Sequence, residues 1–176
     1  RQRGRAPPRM EPNLMPLRAT DAAPLASLHT HTDLSLCGQP DMTLDAAVDL
    51  AVEHGYRCLG FSDHIHIARV TDRPAHAERL RQYKVRRDAA DWPVQVVIGG
   101  EFEVQGKGVM VECDEILELC EYTVVAPNHY HLDWVDCVRG TCAEVAAHEL
   151  DCFETALNWP HTDIIAHPYV GKVTLP

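Results

Sequence analysis

Basic side chains are scarce in this chain: 16 lysines and arginines stand against 26 aspartates and glutamates, a formal charge of −10 over 176 residues. The shortfall argues against a nucleic-acid-binding surface of the usual basic kind. An anionic substrate stays open, because bound cations can reverse the field locally. Long apolar runs are also missing. Nothing approaches the roughly 18 to 20 residues of a membrane span, and no secretory h-region follows the start. The expectation is a soluble, cytoplasmic protein with no membrane partner. Among the seven cysteines (Cys37, Cys58, Cys113, Cys120, Cys137, Cys142 and Cys152) no two have C-x-x-C spacing, which removes a zinc ribbon or a thioredoxin-like pair. Their odd number fits a reducing compartment with mostly buried thiols. There is no G-x-x-x-x-G-K-S/T loop for nucleoside-triphosphate hydrolysis and no nucleophile elbow for a Ser-His-Asp triad.

What remains is about one domain's worth of chain. Residues 1–24 carry five arginines and five prolines with no apolar period, which reads as a disordered leader, with Met10 and Met15 as alternative starts. Order is expected from Leu25. Thr43 to His54 places Leu44, Ala47, Val48 and Ala51 on one helical face, and Gly55 can close it. Tyr56 to Phe61 and the β-branched run Val94 to Ile98 read as buried strands. A helix is expected over Pro74 to Ala90, with Ala77, Leu80 and Val85 as a thin stripe. Val109 to Val111 reads as a hairpin-like excursion, Asp114 to Cys120 as a short helix and Tyr122 to Val125 as a strand. Thr141 and Glu144 have capping-box spacing ahead of the stripe Ala146, Leu150, Phe153 and Leu157. Asp163 to Ala166 makes the last strand.

Five of the apolar runs end on a potential metal ligand. The tips are His29-Thr30-His31, Asp63-His64, Gly99-Gly100-Glu101, Asn128-His129 and His167-Pro168, and they recur every 28 to 38 residues. A strand, helix and return loop need roughly 30 residues. Ligands would then gather at the C-terminal edge of a parallel sheet or barrel. Residues i and i+2 of a strand share a face, so His29 and His31 can reach one ion, and His129 and His131 repeat that spacing. Asp63 either orients an imidazole or caps the segment that follows. The two glycines let the backbone turn sharply before Glu101, whose carboxylate can bridge two cations. His54, His66, His76, His148 and His161 read as ordinary surface residues. Lys107, Arg69, Arg73 and Arg139 are loop cations that could meet a phosphate, although solvated charge is the plainer reading of each.

This ordered set resembles the PHP superfamily, named for polymerase and histidinol phosphatase. Its members carry an H-x-H opening, a D-H pair, a glutamate after the third strand, a later histidine and an H-P pair. The resemblance implies an α/β fold, here an incomplete distorted (β/α)7 TIM-like barrel of about five βα units over residues 25–176. It also implies two or three divalent ions (zinc, manganese or iron) and phosphoester hydrolysis of a small phosphorylated metabolite. His29, His31 and Glu101 would hold one metal, and Glu101 would bridge to a second held by His129 and His167. His64 would serve a third. Glu101 and His129 would be the catalytic residues, acting with a metal-bound hydroxide that attacks phosphorus in line.

Two features depart from the family pattern. The histidine usual a few residues after H-x-H is replaced by the stretch Leu34 to Asp41, where Cys37 is a competent zinc ligand and Gln39 a poor one. The later Asp-x-His motif is missing before Pro176, which reads as an N-terminal part of the domain. Three functions compete: a phosphoesterase acting on a small molecule such as histidinol phosphate, a nuclease or polymerase-associated module, and a metal-binding or inactive remnant of a longer enzyme. A metal-dependent amidohydrolase shares the ligand types, but the D-H and glutamate elements favour the first.

Overall fold

The computed structural model describes residues 25–65, 73–111 and 113–168. The expected leader, His66 and Arg69 lie outside them.

Strand β1 (Ala26–Thr30) begins the sheet, as expected near Leu25. Helix α1 (Leu44–Glu53) buries Leu44, Ala47, Val48 and Ala51, and Thr43 caps it by accepting from the Ala46 amide. Next come β2 (Cys58–Phe61), α2 (Arg73–Asp88) and β3 (Gln95–Ile98). Beyond Gly99 run β4 (Gly100–Gly106), the two-residue β5 (Val109–Met110) and α3 (Asp114–Leu117). The described residues close with β6 (Thr123–Ala126), α4 (Cys142–Asn158) and β7 (Ile164–Ile165). Leu44, Val48, Phe61, Leu80, Ile98, Phe102 and Ile116 belong to one buried cluster, which fastens α1, α2 and α3 to the sheet.

The strands form two sheets, β1-β2-β3 and β5-β4-β6-β7, in which every neighbour pair is parallel except β4 with β5. The sheets are joined across the Gly99 break. The Gly99 amide donates to the Phe61 carbonyl, the Glu101 amide to Asp63 and the Ile65 amide to Glu101, so β4 continues β3 alongside the chain leaving β2. The result is a mixed α/β arrangement with parallel sheets. No closed barrel is present among the described residues. None of their helices is long and apolar enough to cross a membrane.

Three expectations are corrected. Val85 is 70% exposed, and Tyr83 is buried in its place, because the tyrosine sits one i+3 step beyond Leu80 while its hydroxyl finds partners in Thr32 and Asp33. In α4, the capping box of Thr141 and Glu144 forms, yet the stripe of large side chains turns outward: Leu150 and Leu157 are each 57% exposed. The buried face lies one residue earlier, where Cys152 and Ala156 pack on Val104 and Val125. Small residues let the helix come close to the sheet, and apolar period could not choose between two adjacent stripes. The third correction concerns Gly99 and Gly100. Neither has a positive φ. Gly99 provides clearance for Tyr122, since a Cβ there would stand 2.5 Å from the phenol ring and 2.6 Å from its carbonyl.

Candidate metal centre

Glu101 is the centre of the site. It sits at the start of β4 with its side chain fully buried, and neither carboxylate oxygen has a hydrogen bond of good geometry. Ring nitrogens surround both. Oε2 is 3.3 Å from His29 Nε2, 3.4 Å from His31 Nε2 and 2.9 Å from His64 Nδ1. Oε1 is 3.3 Å from His167 Nε2 and 3.7 Å from His129 Nε2. These histidines come from the ends of β1, β2, β6 and β7, the edge expected for ligands in a parallel sheet.

The electrostatics follow from this crowding. Burial pushes the Glu101 carboxyl upward, but His167, His29 and His64 outweigh it and hold the group well below the usual carboxylate range. His31 is pushed down to about 4, by burial first and by neighbouring His64 second. A neutral imidazole is the ligating form. The His31 shift has a direct consequence for stability. Between its ordinary value of 6.5 and about 4 the unfolded chain takes up a proton that the fold resists, so stability falls as pH falls through that window. Acid titration of the metal-free protein, followed by circular dichroism, should show a loss on the order of 3 kcal/mol from this group. A stability flat from pH 7 to 4 would refute it.

The ring orientations are set from outside. Ser35 Oγ donates to Asp63 Oδ1 at 2.8 Å and lies 3.2 Å from His31 Nδ1, so it accepts the Nδ1 proton and leaves Nε2 facing Glu101. Asn128 Oδ1 does the same for His167 at 3.1 Å, while the Asn128 amide donates to the His167 carbonyl at 2.9 Å. Asp63 itself contacts no site imidazole. It accepts from the Thr32 amide at 2.7 Å and the Thr32 hydroxyl at 2.8 Å, tying down the loop after β1. Ser35 and Asn128 carry no spacing signal in the sequence. Glu103 did: Glu-x-Glu on a strand puts two carboxylates on one face, by the same rule that singles out His29 and His31.

That loop also delivers Cys37. A Cβ at Gly38 would overlap the Thr32 carbonyl, so only glycine lets the chain double back there. Cys37 Sγ comes to 3.4 Å from His31 Nδ1. Burial pushes its thiol up in the metal-free protein, so a cation binding there must displace the proton.

Among the described residues, three groups of ligating atoms come within 4.8 Å of one another: His29, Glu101 and His167; His64, Glu101 and His129; His31, Cys37 and His64. His131 joins none of them. It is exposed, its ring 5.5 Å from that of His129. Alternation past Ala126 places it differently because the chain leaves the strand and turns at Tyr130 and His131. Of the histidines set aside as surface residues, His54 is exposed, but His76, His148 and His161 are half-buried, and His148 Nε2 lies 2.9 Å from the Asp136 carbonyl. Lys107 is engaged by Asp151 at 2.8 Å.

Compared with known proteins, the chain matches a family model described as PHP domain over residues 27–138, more than half its length. The match takes in every residue discussed above from His29 to His131, while His167 lies beyond it. No curated protein matches the chain.

Proposed function

The chain belongs to the PHP domain family, and from that premise we propose that it hydrolyses a phosphoester of a small phosphorylated metabolite, in the manner of a histidinol phosphatase. Its family points to metal-dependent hydrolases of the phosphoesterase type. The observation that carries the reading is the convergence of five imidazoles on one buried carboxylate.

The donor set fits divalent ions. Imidazole nitrogens with a carboxylate suit zinc, manganese or iron, and four of the rings already direct Nε2 at Glu101. We assign one ion to His29, Glu101 and His167 and another to His64, Glu101 and His129; Cys37, His31 and His64 form an alternative position that competes for the His64 ring. This division differs from the family-implied pairing of His29 with His31, because the ligating atoms of His29 lie close to those of Glu101 and His167, and those of His31 to those of Cys37 and His64. Bound there, divalent ions supply Lewis acidity toward a phosphoryl oxygen and acidify water. Glu101, the residue common to the first two positions, would hold both ions with its carboxylate. His129, its side chain 8% exposed, presents Nε2 beside Glu101 Oε1 and Nδ1 at 3.3 Å from Glu103 Oε1. The burial of Glu101 strengthens the charge interactions its carboxylate makes.

Elemental analysis of the desalted chain, followed by phosphate release from a panel of small phosphomonoesters including histidinol phosphate, tests the proposal. Close to two equivalents of metal with turnover is the expected result. Metal without turnover on any ester would mean a binding remnant, and absence of metal would sink the centre altogether.

A further inference from the structure

We propose that Glu103 is a positioning residue, a buried carboxylate that fixes His129 in the tautomer a cation ligand requires. The inference rests on the metal centre proposed above and extends it outward by one residue. Strand β4 alternates strictly. Glu101 and Glu103 face the site, whereas Phe102 and Val104 enter the apolar clusters, and all four are fully buried. Burying a second carboxylate beside the first is costly unless something compensates it.

The compensation is visible atom by atom. Glu103 Oε2 is 3.3 Å from Trp134 Nε1, and Oε1 is 3.3 Å from His129 Nδ1. An indole N–H only donates, so it pins Oε2 and thereby the plane of the carboxylate. Oε1 then accepts the proton on His129 Nδ1. That leaves the lone pair on Nε2, the nitrogen facing Glu101 Oε1 at 3.7 Å. Trp134 is itself held in place. The turn from His129 to Val135 closes through Leu132 N to His129 O and Val135 N to Leu132 O, and the Asp136 amide donates to Gln105 on β4 at 2.7 Å.

Ser35 and Asn128 hold His31 and His167 with neutral oxygens. At His129, by contrast, the outer acceptor is a carboxylate. A carboxylate behind a ligating imidazole fixes the ring's orientation and tautomer and strengthens it as a ligand. His64 Nδ1 also lies 3.7 Å from Glu103 Oε1, so the same charge bears on a second ring. Glu103 belongs to none of the three ligating groups found among the described residues, which makes its role one of support.

The test is zinc affinity of the full chain, measured against a competing chromophoric chelator, in a cycle of Glu103→Gln, His129→Ala and the double variant. Glu103→Gln should weaken binding by about 10- to 100-fold. In the His129→Ala background the same change should cost almost nothing further, because its effect passes through that ring. Glu103→Asp, which keeps the charge, should recover part of the loss and serves if the glutamine variant folds poorly. A role in folding alone would lower the melting temperature of the metal-free protein and leave affinity intact. Wild-type binding with an unchanged Glu103→Gln affinity, or full additivity with His129→Ala, overturns the inference and spares the metal centre. Failure of the wild-type chain to bind zinc sinks both.

Discussion

Glu101→Gln is expected to abolish tight metal binding and to cut phosphoester hydrolysis by about a thousandfold. The substitution keeps the volume of a fully buried side chain, so packing changes little. What it removes is charge and one acceptor. Five ring nitrogens lie between 2.9 and 3.7 Å from the two carboxylate oxygens, and an amide can offer only one oxygen to them. Metal ions contribute several kcal/mol to a phosphoryl-transfer barrier, and each 1.36 kcal/mol is about tenfold in rate. Two measurements separate the causes. Elemental analysis reports the lost metal, and added zinc should raise the melting temperature of the wild-type chain but not of the variant, because a ligand stabilises only the state that binds it. A variant that keeps its metal and its turnover would show that Glu101 is not the bridge.

Gly99→Ala should lower the thermal stability of the chain by about 1–3 kcal/mol or more, the usual cost of overpacking. A Cβ at this position would stand 2.5 Å from the Tyr122 ring and 2.6 Å from the Tyr122 carbonyl, and the second of these is backbone. Neither neighbour can give way easily. The Tyr122 hydroxyl donates to the Leu28 carbonyl at 2.8 Å, and β6 begins at the next residue. For a domain of this size each kcal/mol corresponds to roughly 2–4 °C. Differential scanning calorimetry of the metal-free protein gives the number directly. Because Glu101 follows two residues later, weaker zinc binding should accompany the loss. A melting temperature within a degree of wild type would mean that the sheets are not joined as described.

Much of this protein follows from local rules. Helix α1 and the caps of α1 and α4 obey the 3.6-residue period and the chemistry of Thr43 and Thr141, which act within a single turn of chain. The candidate ligands His29, His31, His64, Glu101, His129 and His167 could be named because each ends an apolar run, and a parallel sheet sends all such ends to one edge. Other choices depended on groups distant in sequence. Asp63 serves a loop some thirty residues earlier, and α4 turns Cys152 and Ala156 inward, where they pack on Val104 and Val125. Glu103 makes sense only once Trp134 and His129 fold over it. Periodicity tells which residues can share a face. Which face meets a partner, and which nitrogen of a ring keeps its proton, is settled by atoms that the chain brings close only when it is folded.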